Sequence, residues 1–328
     1  MNHVTIGDPV LPAVRMNLVK PTAPVRARLA SSELCMKGKS ASFVRHVAID
    51  VSGTSLEGAF LPGQSFGIVP PGTGANGKPH PVRLYSLACP SWGEDGQGRV
   101  ISTTPKRLID ERRPQREGDD PWDHRLFTGL CSNHACDLAE GDEVLVSGPN
   151  GRSFLLPEDT EAHDYLFVAT GTGIAPFRGM AMELFDRPSG PTRSQVHLVM
   201  GAAYTTDLLY DEQMRSLAQR HANFHYHTAI SREMRPDGRC GLYVDGYIDE
   251  RMKELFGDLL ARERTLIHVC GLAGMQVGLF RLLAAHGLAE AYLSLRDESL
   301  AGIDPRGWTH EQVRLGVRPT RRCMLEVY

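Results

Sequence analysis

Apolar positions follow two different patterns along the chain. From Val25 to Ser147 they fall in short runs: Phe43–Val51, Ser65–Val69, Arg83–Ala88, Arg99–Thr104 and Glu143–Ser147. Gly63-Gln64, Pro70-Pro71-Gly72 and Gly148-Pro149 punctuate them. Short β-rich runs between turn clusters, with no long helical period among them, predict a small antiparallel barrel or sandwich. After Pro157 the pattern changes. Tyr165–Ala169 is a continuous apolar run that leads into a Gly-rich turn and then helical periodicity through Phe185. Gln195–Met200 precedes a helix near Asp211–His221, and Phe224–Ile230 and Thr265–Cys270 each lead into further helical sequence. Strands alternating with helices predict a parallel sheet covered on both faces. Pro157–Asp164 reads as the linker, so the expected domains are residues 1–157 and 158–328. Residues 1–20 read as a loose lead-in and the charged stretch Asp110–Arg125 as a solvated loop.

Composition narrows the function classes. With 41% apolar and 23% charged residues in 328, the chain is not disordered, collagenous or a coiled coil. A net charge of −3 argues against a wholesale nucleic-acid binder. Seven cysteines, an odd number in a chain this large, predict free thiols in a reducing compartment. No apolar stretch approaches a membrane span, and the N-terminus lacks a signal-peptide core. The expectation is a cytoplasmic protein.

Several segments carry chemistry. Gly171-Thr172-Gly173-Ile174-Ala175-Pro176 follows a buried strand and opens a helix, where glycines let the backbone approach a phosphate and helix-end amides offer it donors. The third Gly of the dinucleotide fingerprint is missing, which argues against an ordinary Rossmann dehydrogenase site. Arg83-Leu84-Tyr85-Ser86 puts a phosphate-suited guanidinium beside an aromatic face on a strand. Cys131-Ser132-Asn133-His134, after Gly129, is a second possible anion nest. Cys131 and Cys136 are spaced like part of an iron–sulfur set, but no further cysteines complete it. Cys270-Gly271-Leu272-Ala273-Gly274-Met275 ends a buried strand, where open α/β sheets place ligands. His221, His225 and His227 lack a neighbouring Cys or carboxylate set, so no metal is expected.

Together these segments resemble the plant-type ferredoxin–NADP⁺ reductase family. The matching pieces appear in family order at residues 63–88, 129–138, 141–152, 167–180, 198–214, 229–234, 268–275 and 324–328. The resemblance implies an antiparallel FAD-binding β-barrel followed by a parallel-sheet NADP-binding α/β domain. It implies an enzyme exchanging electrons between NADP(H) and a ferredoxin or flavodoxin; a reductase component of a multicomponent oxygenase is the alternative. By motif position, Arg83 would bind the FAD pyrophosphate with Leu84 beside it, Tyr85 would cover one flavin face, and Ser86 would hydrogen-bond near its reactive nitrogen. Leu130, Cys131 and Ser132 would complete the phosphate nest. Lys106, Thr172, Gly173, Gly271 and Leu272 would contact the NADP body, with Ser231, Arg232 and Tyr243 at its 2′-phosphate and adenine. Cys270 and Glu326 would sit at the nicotinamide, Glu326 as the proton reservoir that Ser86 relays, and Tyr328 would cover the second flavin face. Two positions depart from the family's pattern. Asp110 stands where chloroplast members carry an adenine-stacking Tyr, leaving Trp122 as the substitute. Gly241 stands where a Lys is common, leaving Arg235 or Arg239 to supply that charge. No acidic residue is expected at the ribose end, so NADPH should be preferred over NADH.

Overall fold

In the computed structural model, residues 1–6, 41, 75, 112–117, 119, 121 and 123 lie outside the described part of the chain. The first half is built on strands β1 (Val25–Leu34), β2 (Arg45–Asp50), β3 (Ser65–Val69), β4 (Arg83–Ser86) and β5 (Val100–Thr103). A hairpin of β6 (Ile109–Glu111) and β7 (Leu126–Thr128), helix α1 (Leu130–Asp137) and strand β8 (Glu143–Asn150) follow. Six strands form one antiparallel sheet in the order β4-β3-β8-β1-β2-β5. Its two ends approach each other: the Ala88 amide donates to the Ser102 carbonyl at 2.8 Å, and the Thr103 hydroxyl to the Ser86 carbonyl at 2.8 Å. The sheet therefore curls into a barrel around Val47, Ile49, Phe66, Ile68, Val144 and Val146.

The second half alternates. It contains β9 (Asp164–Thr170), α2 (Ile174–Phe185), β10 (Val196–Ala202), α3 (Asp211–Arg220), β11 (Phe224–Ile230), α4 (Val244–Glu250) and α5 (Gly257–Ala261). Then come β12 (Thr265–Gly271), α6 (Gly274–Ala285), α7 (Ala289–Tyr292), β13 (Leu293–Leu295), α8 (His310–Gly316), β14 (Val317–Pro319) and β15 (Cys323–Val327). A parallel sheet runs β11-β10-β9-β12-β15. Alternate side chains of β9 go to opposite cores, as strand geometry requires. Tyr165 and Phe167 pack with α2 and α3, whereas Leu166 and Val168 pack with α4 to α6.

The architecture agrees with the sequence reading, with local corrections. Strand β1 is an addition: of its ten residues only Ala27 and Leu29 are buried, so it carries little apolar signal. The described part of the lead-in, from Gly7 on, is not loose at its end, because Val19 exchanges two backbone hydrogen bonds of 2.9 Å with Gly148, and the Asn17 amide donates to the Pro149 carbonyl. The far end of the expected linker is the first residue of β9: Asp164 is buried and accepts from the Gln195 amide and from Arg262. Of the stretch Asp110–Arg125, expected as a solvated loop, Asp110 and Glu111 belong to β6 and pair with β7, and most of its middle lies outside the described residues.

The two halves meet along a dense seam. Gly179 on α2 lies so close to Cys89 that a Cβ would come 2.4 Å from the Cys89 carbonyl oxygen. Next to it, Arg178 donates to the Ala88 carbonyl at 2.8 Å, pairs with Glu94 at 2.5 Å and lies over the Tyr210 ring. Burial opposes the Glu94 charge, but hydrogen bonds from His46, Arg178 and Ser102 hold its carboxyl down at about 2. Removing one partner of such a buried pair costs about 3–5 kcal/mol, since the other charge is left without compensation. Buried His268 donates from Nε2 to the Leu155 carbonyl at 3.0 Å.

Candidate active site

Two crossings of backbone set up the centre of the molecule. At the end of β9 the chain turns through Gly171, at φ +53°, into Gly173. A Cβ on Gly173 would lie 2.2 Å from the Cys270 carbonyl oxygen, and one on Gly271, at φ +142°, would lie 2.1 Å from Thr170 Oγ1. Glycine at both places lets the ends of β9 and β12 touch. These two glycines thus serve the packing of the turns. The side chains these turns leave accessible are Thr172, which is half-buried, and Leu272, which is 64% exposed.

Strand β15 then brings the last residues alongside. Cys270 and Glu326 are register partners on β12 and β15. The Tyr328 amide donates to the Gly271 carbonyl at 3.0 Å, and the Tyr328 carbonyl accepts from the Ala273 amide at 3.1 Å. The Tyr328 hydroxyl and Thr172 Oγ1 are 2.5 Å apart. An aromatic side chain that remains 60% exposed is thereby held in place at both its backbone and its tip.

Across the seam, β4 presents Ser86 to Glu326. Burial raises the Glu326 carboxyl to about 7, with a hydrogen bond from Ser86 pulling the other way. The second carboxyl oxygen, Oε2, is buried with no hydrogen-bond partner among the described residues. A carboxyl balanced near neutrality and linked to a hydroxyl is suited to holding and passing one proton. Cys270 is buried, and both burial and the neighbouring Glu326 raise its thiol well above the ordinary range, so it stands as a neutral thiol. Ser86, Cys270, Glu326 and Tyr328, drawn from both halves of the chain, therefore converge.

On the barrel side, Arg83 and Leu84 are exposed on β4, and Tyr85 lies against Cys131. Helix α1 starts at Gly129 without a capping side chain, which leaves the first-turn amides of Leu130, Cys131 and Ser132 available. The Ser132 hydroxyl accepts from the Leu108 amide at 3.3 Å, tying α1 to the residue before the hairpin. Leu84, Leu108, Ile109, Leu126, Phe127 and Leu130 are each at least 41% exposed, and Trp122 is 80% exposed. A strip of large apolar side chains beside an exposed Arg and an uncapped helix end matches a ligand with a planar aromatic part and a phosphate. Asp110 is exposed on β6 within this strip.

On the other side lies a cleft of about 650 Å³, lined by Lys106, Thr172, Ser231, Arg232, Tyr243 and Leu272 among others. The Ser231 and Arg232 amides donate to the Ala202 and Ala203 carbonyls, which fixes their loop to the end of β10. Arg235 and Arg239 point elsewhere, both pairing with Glu250. Sequence reasoning missed Asp207, Asp245, Arg281 and His310, which also line the cleft. Two of these, Asp207 and Asp245, are acidic, in a cleft where the sequence reading noted no acidic residue. Asp245 sits in the first turn of α4, two residues beyond Tyr243, and no short motif marks it. The three suspected histidines do not converge: His225 and His227 lie against the His197 ring, and His221 lies against Phe185. Among the described residues no group of three or more His, Cys, Asp or Glu is placed to hold a metal ion, and no helix is long and apolar enough to cross a membrane.

Comparison with known proteins follows the same lines. A family model described as an oxidoreductase NAD-binding domain matches residues 167–279. The chain is 36% identical over 318 residues to the embryo isozyme of chloroplastic ferredoxin–NADP reductase from Oryza sativa subsp. japonica, covering 95% of this chain and 77% of that protein. It is 36% identical over 276 residues to the ferredoxin–NADP reductase of Thermosynechococcus vestitus, covering 83% and 68%. Among solved structures, the ferredoxin–NADP⁺ reductase of Plasmodium falciparum superposes with a TM-score of 0.67 over 95% of this chain and 99% of that one, at 20% identity. That last likeness is one of fold.

Proposed function

The chain belongs to the ferredoxin–NADP reductase family, and on that premise we propose that it is an FAD-dependent oxidoreductase exchanging electrons between NADP(H) and a ferredoxin. Residues 1–157 form the flavin half in this reading and residues 158–328 the nucleotide half. Bound FAD would supply the conversion between a two-electron hydride carrier and a one-electron iron–sulfur carrier. The residues present suit both groups: the exposed apolar strip and uncapped α1 suit the flavin nucleotide, and the cleft suits a dinucleotide.

The observation that carries the proposal is the convergence of Glu326, with its buried free oxygen, on Ser86 at the junction of the halves. Arg83 and the α1 amides hold the flavin phosphates, with Leu84 alongside. Tyr85 and Tyr328 bracket its ring, and Trp122 supplies an aromatic surface for its adenine. Ser86 and Glu326 hold and relay the proton, while the small neutral Cys270 leaves room for the nicotinamide. Lys106, Thr172 and Leu272 orient the nucleotide, and Ser231, Arg232 and Tyr243 take its adenosine end. Seven free cysteines support a cytoplasmic, reducing location.

The test is the absorbance spectrum of the purified protein together with NADPH-driven reduction of a ferredoxin. Bound flavin and turnover are expected; a colourless protein that fails to take up FAD overturns the reading. Arg232→Ala should weaken NADPH use by about 2–3 kcal/mol through loss of a charge-assisted contact, and leave NADH use unchanged.

A further inference from the structure

The cleft that holds Ser231 and Arg232 also contains a carboxylate with no hydrogen-bond or ion-pair partner among the described residues. Two carboxylates line it, Asp207 and Asp245. Asp207 is occupied, since it accepts from the Ser40 hydroxyl at 2.5 Å. Glu233, next to Arg232 in the chain, is likewise turned away, accepting from the Thr205 amide and hydroxyl at 2.5 and 2.7 Å. Asp245 makes no side-chain hydrogen bond or ion pair with any described residue. The nearby cation makes no ion pair with it: Arg281, which also lines the cleft, donates to the Trp308 carbonyl.

The fold also makes room for this carboxylate. Gly278 on α6 faces it so closely that a Cβ there would fall 2.1 Å from Asp245 Oδ2. Val244, the preceding residue, is locked in place because its Cγ1 lies 2.6 Å from where a Cβ on Gly201 would be. The Leu242 amide donates to the Ile230 carbonyl at 3.0 Å, which fixes the segment carrying Tyr243 and Asp245 to the same strand end that carries Ser231. The carboxylate is thus held beside the adenosine end of the proposed nucleotide site, with its accepting oxygens unused by the protein.

We propose that Asp245 is a specificity-determining residue that narrows the preference for the phosphorylated nucleotide. This rests on the reading of the cleft as a nucleotide site. A carboxylate opposes a 2′-phosphate by charge and accepts hydrogen bonds from free ribose hydroxyls, the role acidic residues take in NAD-binding sites. Ser231 and Arg232 favour the phosphate; Asp245 counteracts them and gives NADH a usable contact. The chain therefore takes both nucleotides, with NADPH ahead by a modest factor.

The test is calorimetric titration of the full-length, FAD-loaded protein with 2′,5′-ADP and with 5′-AMP, comparing the parent with Asp245→Asn and Asp245→Ala. Binding of these half-nucleotides does not depend on turnover. Both variants should bind 2′,5′-ADP about tenfold more tightly, as expected when one unit charge is removed from beside a phosphate near a protein surface. Asp245→Ala should also bind 5′-AMP more weakly, so the ratio of the two affinities widens. The gain for 2′,5′-ADP should shrink as salt rises, whereas a merely structural change would not respond to salt. An unchanged ratio in both variants, with 2′,5′-ADP still bound by the parent, overturns the assignment of Asp245 alone. Failure of the parent to bind 2′,5′-ADP at all overturns the nucleotide site and this inference with it. Should one variant melt well below the parent, the other decides, since Asn preserves the shape of Asp.

Discussion

The two ligand surfaces proposed for this protein are built in opposite ways. The nucleotide side is shaped by backbone packed to contact: Gly173 against Cys270, Gly271 against Thr170, Gly201 against Val244. The flavin side is made of side chains left uncovered, from Leu84 through Phe127 and Leu130, on β4, a hairpin of two three-residue strands and the start of a short helix. One surface has its shape before any ligand arrives; the other leaves apolar area for the ligand to cover. A preformed site spends no binding energy on ordering, whereas an incomplete one couples ligand uptake to stability.

The sharpest way to break that contrast is Gly271→Ala. A Cβ at φ +142°, 2.1 Å from Thr170 Oγ1, must push β9 and β12 apart. A loss of about 3 kcal/mol or more is expected in thermal unfolding, with nucleotide binding abolished, because overpacking and an unfavourable backbone conformation add. Wild-type stability with full nucleotide affinity would contradict the preformed side. The complementary experiment removes FAD. At free flavin one hundred times its dissociation constant, the loaded protein should be more stable than the stripped one by about 2.7 kcal/mol. Proteolytic protection should be gained first around the hairpin and α1; equal melting of both forms would show that the strip is already complete.

A smaller effect concerns the junction. With Glu326 near 7, NADPH-driven turnover should change through a single inflection near neutral pH, and Glu326→Gln should flatten that profile and slow turnover about tenfold or more. The smallest effect lies away from both surfaces. Burial, then the neighbouring histidines, push His197 down to about 3, and burial pushes His227 down to about 4. Because both lie below the unfolded value of about 6.5, the unfolded chain binds more protons in acid, so stability falls as pH drops from about 6.5 towards 4. His197→Asn should lessen that fall by about 1 kcal/mol at a pH of about 5.8, measured by denaturant melts.

What could be read from residues alone divides along the same line. Strands β9, β10 and β12 are buried on both faces and so appear as unbroken apolar runs, and the turn after β9 announces itself through its glycines. Strand β1 escaped notice because Arg26, Arg28 and the serines alternate around only two buried positions. The motif positions Ser86, Cys270, Glu326 and Tyr328 were identifiable by resemblance, but their convergence depends on the pairing of β12 with β15 across more than fifty residues of sequence. Asp245 was invisible for a different reason. In the sequence it is one more polar residue near the start of a helix, and only the position of Gly278 makes its carboxylate part of a cleft.

The seam along α2 bears on how such proteins can be recombined. Val44, Phe154 and Leu156 from the barrel lie within the core that otherwise belongs to the nucleotide half, and Arg178 reaches back to Glu94 and Ala88. A chimaera that joins this nucleotide half to the barrel of a relative at residue 157 would put foreign side chains into that core and strand the Arg178 guanidinium. The exchangeable unit is therefore not the stretch of chain between two linkers. It is the nucleotide half together with a patch of the barrel, Val44, Ala88, Cys89, Glu94, Phe154 and Leu156, and grafts that carry this patch should express as soluble protein where cuts at the linker alone do not.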